Sequence, residues 1–167
     1  MKKALLFIAL SCVFFSSCQK SNIDTFRGDY SFKTSGSVTI QRQANDSVEA
    51  ATFTLALPND IGQLEIVTLD KSQDSVIVIM NHLNGEVTLT HGHCGDGQLV
   101  LNEFQRDNIE FNLDQVNFKA PVKIKAVGHC YDGNTLLFNM TYRGKAEVDQ
   151  LSYTIEGDDI RMVAYRN

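Results

Sequence analysis

After Phe26 the chain alternates apolar and polar residues with a period of two almost without interruption. Ile109, Phe111 and Leu113 alternate with Glu110, Asn112 and Asp114, and Val122, Ile124 and Ala126 with Lys123 and Lys125. Leu136, Phe138, Met140 and Tyr142 form another row, as do Leu151, Tyr153 and Ile155, and then Ile160, Met162 and Ala164. Successive side chains of a strand point to opposite faces, so each row lays an apolar face on a core and a polar face in water. Val76 to Met80 is apolar throughout, which predicts a strand covered on both sides or lining a lumen. Asn84-Gly85, Asp96-Gly97 and Asp132-Gly133 are hairpin signals, because type I′ turns need positive φ. Pro58-Asn59-Asp60 and Gly157-Asp158 mark further breaks.

This punctuation predicts strands over 28–34, 36–43, 48–56, 63–70, 75–81, 86–92, 98–103, 108–114, 117–128, 135–143, 147–155 and 159–165. Some are halves of one bent strand, with Gly36 and Asn117 the expected kinks, which leaves about ten. No window sustains a helical period; the best helical candidate is the short stretch Leu101 to Asn108. The fold class is therefore all-β, an antiparallel meander of about 8–12 strands closing into a barrel, because closure removes exposed edges. A two-sheet sandwich is the alternative.

The N-terminus departs from this pattern. Met1-Lys2-Lys3 is a positive n-region, and Ala4 to Phe15 is an apolar run broken only by Ser11 and Cys12. Such a run is too short for a resident membrane helix and fits a signal peptide over residues 1–17. Phe15-Ser16-Ser17-Cys18 resembles a bacterial lipobox, which makes Cys18 the lipidation site. Cys12, after Ala9-Leu10-Ser11, is a rival; an ordinary cut near Ser17, leaving Cys18 a thiol, is the plainer reading. A multiply acylated cysteine anchors a protein stably, where one chain would not. Residues 18–25 then form a polar tether and 26–167 a single domain. The expected location is the outer membrane, at its periplasmic face or on the cell surface.

Without Lys2 and Lys3 the basic count falls from 15 to 13 against 20 acids, so the net charge moves from -5 to -7. An acidic domain with scattered lysines has no footprint for nucleic acid.

Phe26-Arg27-Gly28-Asp29-Tyr30 opens the domain much as Gly-x-Trp opens lipocalins and their calycin relatives. The chain resembles the calycin-like (lipocalin-like) lipoproteins of the Bacteroidetes, a group mostly without assigned function. The resemblance implies that Tyr30 stands for the family's Trp and that Arg161 or Arg166 covers it, Arg161 being the preferred barrel-closing partner. Asp46-Ser47-Val48 and Asp74-Ser75-Val76, both in predicted turns, resemble the three-residue O-glycosylation signal used on exported proteins of that group, which makes Ser47 and Ser75 candidate sites and leaves their modification open.

GHCGDG (92–97) nearly recurs as GHCYDG (128–133). Three readings stand. Cys94 and Cys130 are a disulfide candidate in an exported protein, adding about 3–4 kcal/mol through the unfolded state. Parity opposes it, since Cys130 continues an apolar row and Cys94 the polar row Glu86, Thr88, Thr90. His91, His93 and His129 are the weaker, metal-binding alternative. Two free thiols at similar turns are the third.

Catalytic signals are missing: no Gly-x-Ser-x-Gly elbow, His-Glu-x-x-His or phosphate loop occurs. His93-Cys94 and His129-Cys130 are chain neighbours, which gives no nucleophile–base geometry. Asp158-Asp159 reads as a solvated turn. The expectation is a protein without cofactor or enzymatic activity that binds a small apolar or amphipathic ligand in a barrel lined by residues such as Tyr30, Phe32, Phe111, Phe138 and Tyr142. The alternative is a structural lipoprotein that engages a protein partner of the envelope.

Overall fold

The structure is a computed structural model, and it describes residues 22–69, 74–113 and 116–167. Cys18, Cys12 and the apolar N-terminal run lie outside the described residues. A five-residue helix, α1 (Asn22–Phe26), precedes ten strands: β1 (Gly28–Ser35), β2 (Ser37–Arg42), β3 (Ala51–Ala56), β4 (Asp60–Thr68) and β5 (Ser75–His82). Then come β6 (Val87–Gly95), β7 (Gln98–Leu113), β8 (Val116–Cys130), β9 (Thr135–Val148) and β10 (Leu151–Arg166). Eight of them, in the order β1-β4-β5-β6-β7-β8-β9-β10, form an antiparallel barrel that β1 and β10 close. β2 and β3 extend the sheet from the first half of β10.

The closure follows from one bend. The second half of β10 pairs with β1 (Tyr30 with Arg166) and the first half with β2 (Ile155 with Ile40). Gly36 between them has φ +146°, and a Cβ there would come within 2.7 Å of the Asp159 carbonyl oxygen. Only glycine fits that turn and that approach. Opposite, the β10 register slips between Gly157 and Ile160, so the predicted turn at Asp158-Asp159 is a bulge within one long strand.

A second bend lifts the β7–β8 hairpin away from the barrel. Asn117 pairs regularly with Asn112, so it is not the kink. The kink is at Pro121, opposite a bulge at Asp107 and Asn108, where proline has no N–H to give the ladder. The hairpin then packs on β10, with the Phe118 ring 5.2 Å from that of Tyr153 and 5.6 Å from that of Phe111. Leu101 to Asn108, the helical candidate, lies wholly in β7. The expected tether is folded from Asn22 onward: Ile23 and Phe26 are buried in the core, and α1 lies against β6.

The lumen is packed. Among the described residues, Phe32, Met80, Phe104, Ile124, Met140 and Met162 leave only about 10 Å³ between them, about one probe sphere of water. The aromatic residues expected to line a ligand cavity are the core itself: Tyr30, Phe32, Phe111, Phe138 and Tyr142 are all buried. Interiors are close-packed unless small residues leave space, and these rows are large side chains.

Candidate functional site

The barrel end opposite α1 carries a buried charged floor. His82 is in phase with Val76, Val78 and Met80, so β5 turns it inward. Arg106 reaches the interior because β7 slips register between Leu101 and Phe104 and again between Arg106 and Ile109. Asp60 begins β4, and Glu86 ends the turn after β5.

The geometry joins all four. Arg106 donates from Nε and Nη2 to Glu86 at 3.1 and 2.6 Å, and from Nη1 to Asp60 Oδ2 at 2.6 Å. His82 Nδ1 meets Asp60 Oδ1 at 2.9 Å, and its Nε2 meets Thr88 Oγ1 at 3.0 Å. The Phe32 ring stands edge-on to the imidazole at 5.4 Å. A buried charge needs this degree of pairing, and among the described residues no buried side-chain polar atom lacks a partner. Burial alone would raise the Asp60 carboxyl, but the His82 bond and the Arg106 charge hold it below its ordinary value. The hydrogen bond from Arg106 holds Glu86 below its own. Burial pushes the Tyr142 phenol up to about 12.

Above this floor opens a cleft of about 630 Å³ between the β3–β4 connection, the β5–β6 turn and the lifted β7–β8 hairpin. Leu57, Pro58, Leu83 and Ile109 make apolar walls, and Asn59, Asn84 and Asn108 bring carboxamides to the lining beside the cross-strand neighbours Glu110 and Lys119. Arg106 donates on three sides within the network, so the floor offers no spare cation. The arrangement suits a molecule with an apolar body and a hydrogen-bonding polar head. Thr88, His82 and Asp60 form a hydroxyl–imidazole–carboxylate row, but Thr88 and His82 are buried beneath the cleft and do not line it.

The other predicted residues are placed elsewhere. Cys94 and Cys130 both point inward, which removes the parity objection, yet both are free thiols. β7 lies between β6 and β8, and Cys94 is level through Leu99 with Gly128, two residues short of Cys130; the two strand spacings alone are about 9–10 Å, beyond a disulfide. His91 and His93 share the outer face of β6, whereas His129 is on the outer face of β8, two strands away. No three metal-binding side chains converge among the described residues. Tyr30 is covered by Arg166, not Arg161. The Arg166 guanidinium sits 5.3 Å from the ring centroid, and Nη2 donates to the Tyr30 hydroxyl at 2.7 Å and to the Thr25 carbonyl at 3.0 Å. Arg161 pairs with Ser35 across the ladder and faces Asp159 in solvent. Ser47 is exposed in the β2–β3 loop, and Ser75 bonds Asp74.

Sequence reading missed the floor. His82 carried a signal, a polar residue in phase with an apolar row. Arg106 carried one too, two residues after Phe104, but its partners lie 46 and 20 residues away.

The fold is an all-β protein built on a closed eight-stranded barrel. Comparison with protein-family models and with curated proteins gives no match.

Proposed function

We propose that this protein is a non-catalytic binding module, exported and lipid-anchored at Cys18 in the manner of the calycin-like lipoproteins, that holds a small amphipathic ligand at the mouth of its barrel. One observation carries the reading: a cleft of about 630 Å³ with apolar walls, a few polar side chains (three carboxamides with Glu110 and Lys119) and a fully paired charged floor. Its volume is in the range of small-molecule sites, and sparse polar groups in an apolar concavity are what such sites use for orientation. Native mass spectrometry of the protein purified from its own host tests this. A retained small molecule, lost on Ile109→Trp, is expected. Repeated absence of a bound mass overturns it.

A second reading, a partner-binding lipoprotein, draws on the outer face of β5 and β6. Ile77 and Ile79 are half-buried there beside Leu89 and Val87, which are 59% and 62% exposed. An apolar surface band of this kind is typical of protein contacts. Co-purification of a stoichiometric partner, lost on Leu89→Lys while the small molecule stays, would favour it.

A further inference from the structure

A second cleft, of about 460 Å³, opens on the outside of the barrel where β8 and β9 part. The pairing of these strands runs from Cys130 with Leu136 as far as Val122 with Gly144, and there it stops. One residue enforces the parting. Pro121 has no amide hydrogen for the next rung. Gly144 lets the last rung close, since a Cβ there would come within 2.8 Å of the Pro121 carbonyl oxygen and 3.3 Å of Ile155 Cδ1. The cleft thus begins where Pro121 ends the ladder, and Pro121 and Gly144 floor it, with the fully buried Ile155 beneath them.

Its rim is cationic. Lys123, Arg143 and Lys145 line it, against Glu156 alone. Lys123 is the direct cross-strand neighbour of Arg143, an arrangement of like charges that destabilises a ladder unless something offsets it. Part of the offset is internal. Arg143 is held by Asp158 and by the carbonyls of Tyr142 and Gly157. Lys123 shares the Glu103 carboxylate with Lys125, at 3.6 and 3.8 Å. Lys145 has no ion-pair partner among the described residues, and Thr154 is its neighbour across the ladder.

We infer that this cleft is an anion site that takes the carboxylate or phosphate head of an amphipathic molecule between Lys123 and Lys145 and lays its apolar part on Pro121 and Gly144. The site shares no lining residue with the mouth cleft and does not depend on that assignment. The ligand class follows from the lining: Lys145, without an ion pair among the described residues, and Lys123, which has only a share of one carboxylate, select negative charge, and the apolar floor selects a hydrocarbon segment over a bare ion.

Titration of the purified protein with octanoate, octyl phosphate, inorganic phosphate and octyl glucoside, all below micelle-forming concentrations, tests the site by calorimetry and by amide shifts in NMR. Both octyl anions are expected to bind saturably, to shift the amides of Gly144 and Lys145, and to exceed octyl glucoside by about tenfold or more. Lys123→Ala/Lys145→Ala, two exposed positions that leave the core untouched, is expected to cost about the same factor, and Glu156→Gln to improve binding. Tighter octanoate identifies a fatty-acid-like ligand, and tighter octyl phosphate a lipid-phosphate-like one. Inorganic phosphate binding as well as octyl phosphate overturns the apolar half of the inference. Octyl glucoside binding equally, an unchanged double variant, or shifts confined to the residues around Arg106 overturn the site.

Discussion

Arg106 and Glu86 form a two-point ion pair at 3.1 and 2.6 Å across the place where the β6–β7 ladder has already ended. Backbone pairing of these strands reaches only Gly92 with Leu101. Beyond it the two bulges turn β7 outward, and the guanidinium spans the gap with its side chain. The barrel wall is therefore closed by hydrogen-bonded backbone at one end and by an ionic staple at the mouth. That staple holds the cleft floor in shape.

Removing the cation should be costly. Arg106→Met leaves Asp60 and Glu86 facing each other partly buried, and we expect a loss of about 3–5 kcal/mol in urea unfolding. Adding Asp60→Asn and Glu86→Gln removes the uncompensated charge and should restore more than half. A single variant as stable as the native protein would show that the network is ornamental to stability.

The same carboxyls set an acid limit. Asp60 and Glu86 titrate below their ordinary values of 3.8 and 4.5 in the folded protein. A carboxyl depressed on folding contributes stability above its unfolded value and loses it as pH falls through the folded one. Urea midpoints should accordingly be flat above about pH 5 and decline below it. In Asp60→Asn/Glu86→Gln the decline should be shallower; an identical slope would remove these groups as its cause.

Arg166 should matter and Arg161 should not. Tyr30 donates its hydroxyl to the Phe26 carbonyl at 2.8 Å while accepting from Arg166, so the pair ties α1 to the end of β10. Arg166→Ala is expected to cost about 1 kcal/mol and to speed hydrogen exchange across residues 22–30. Arg161→Ala should stay within about 0.5 kcal/mol. Equal effects would contradict the assignment.

The thiols should differ in reactivity without forming a bridge. Cys94 is buried, and burial, with the charge of Asp74, pushes its pKa up to about 11. Cys130 is only half-buried. Alkylation of the folded protein at neutral pH should label Cys130 first and Cys94 only on unfolding. Peptide mapping of unreduced protein that links Cys94 to Cys130 would refute the strand order between them.

Much of the barrel was legible because a two-sided sheet writes its burial into a two-residue rhythm. The rows of β8, β9 and β10 are buried as read, and Gly36 was identifiable as a bend. Leu101 to Asn108 was not, because two bulges set the buried positions at Leu101, Phe104, Arg106 and Ile109. That spacing imitates a helical face. β6 was legible only in part. Thr88 and Thr90 are buried while Val87 and Leu89 face solvent, the reverse of their hydropathy. The Asn84-Gly85 turn fixes Met80 opposite Thr88, and register outranks the preference of a single strand.

Alternation and turn chemistry by themselves determined an all-β chain with most of its core rows, because those signals are local. What tertiary structure alone decided is the packed lumen, the separation of Cys94 from Cys130 by an intervening strand, Arg166 rather than Arg161 on Tyr30, and the assembly of Asp60, His82, Glu86 and Arg106. Each depends on which residues meet across strands distant in sequence, and bulges, proline and ladder register set those meetings, none of which a period of two records.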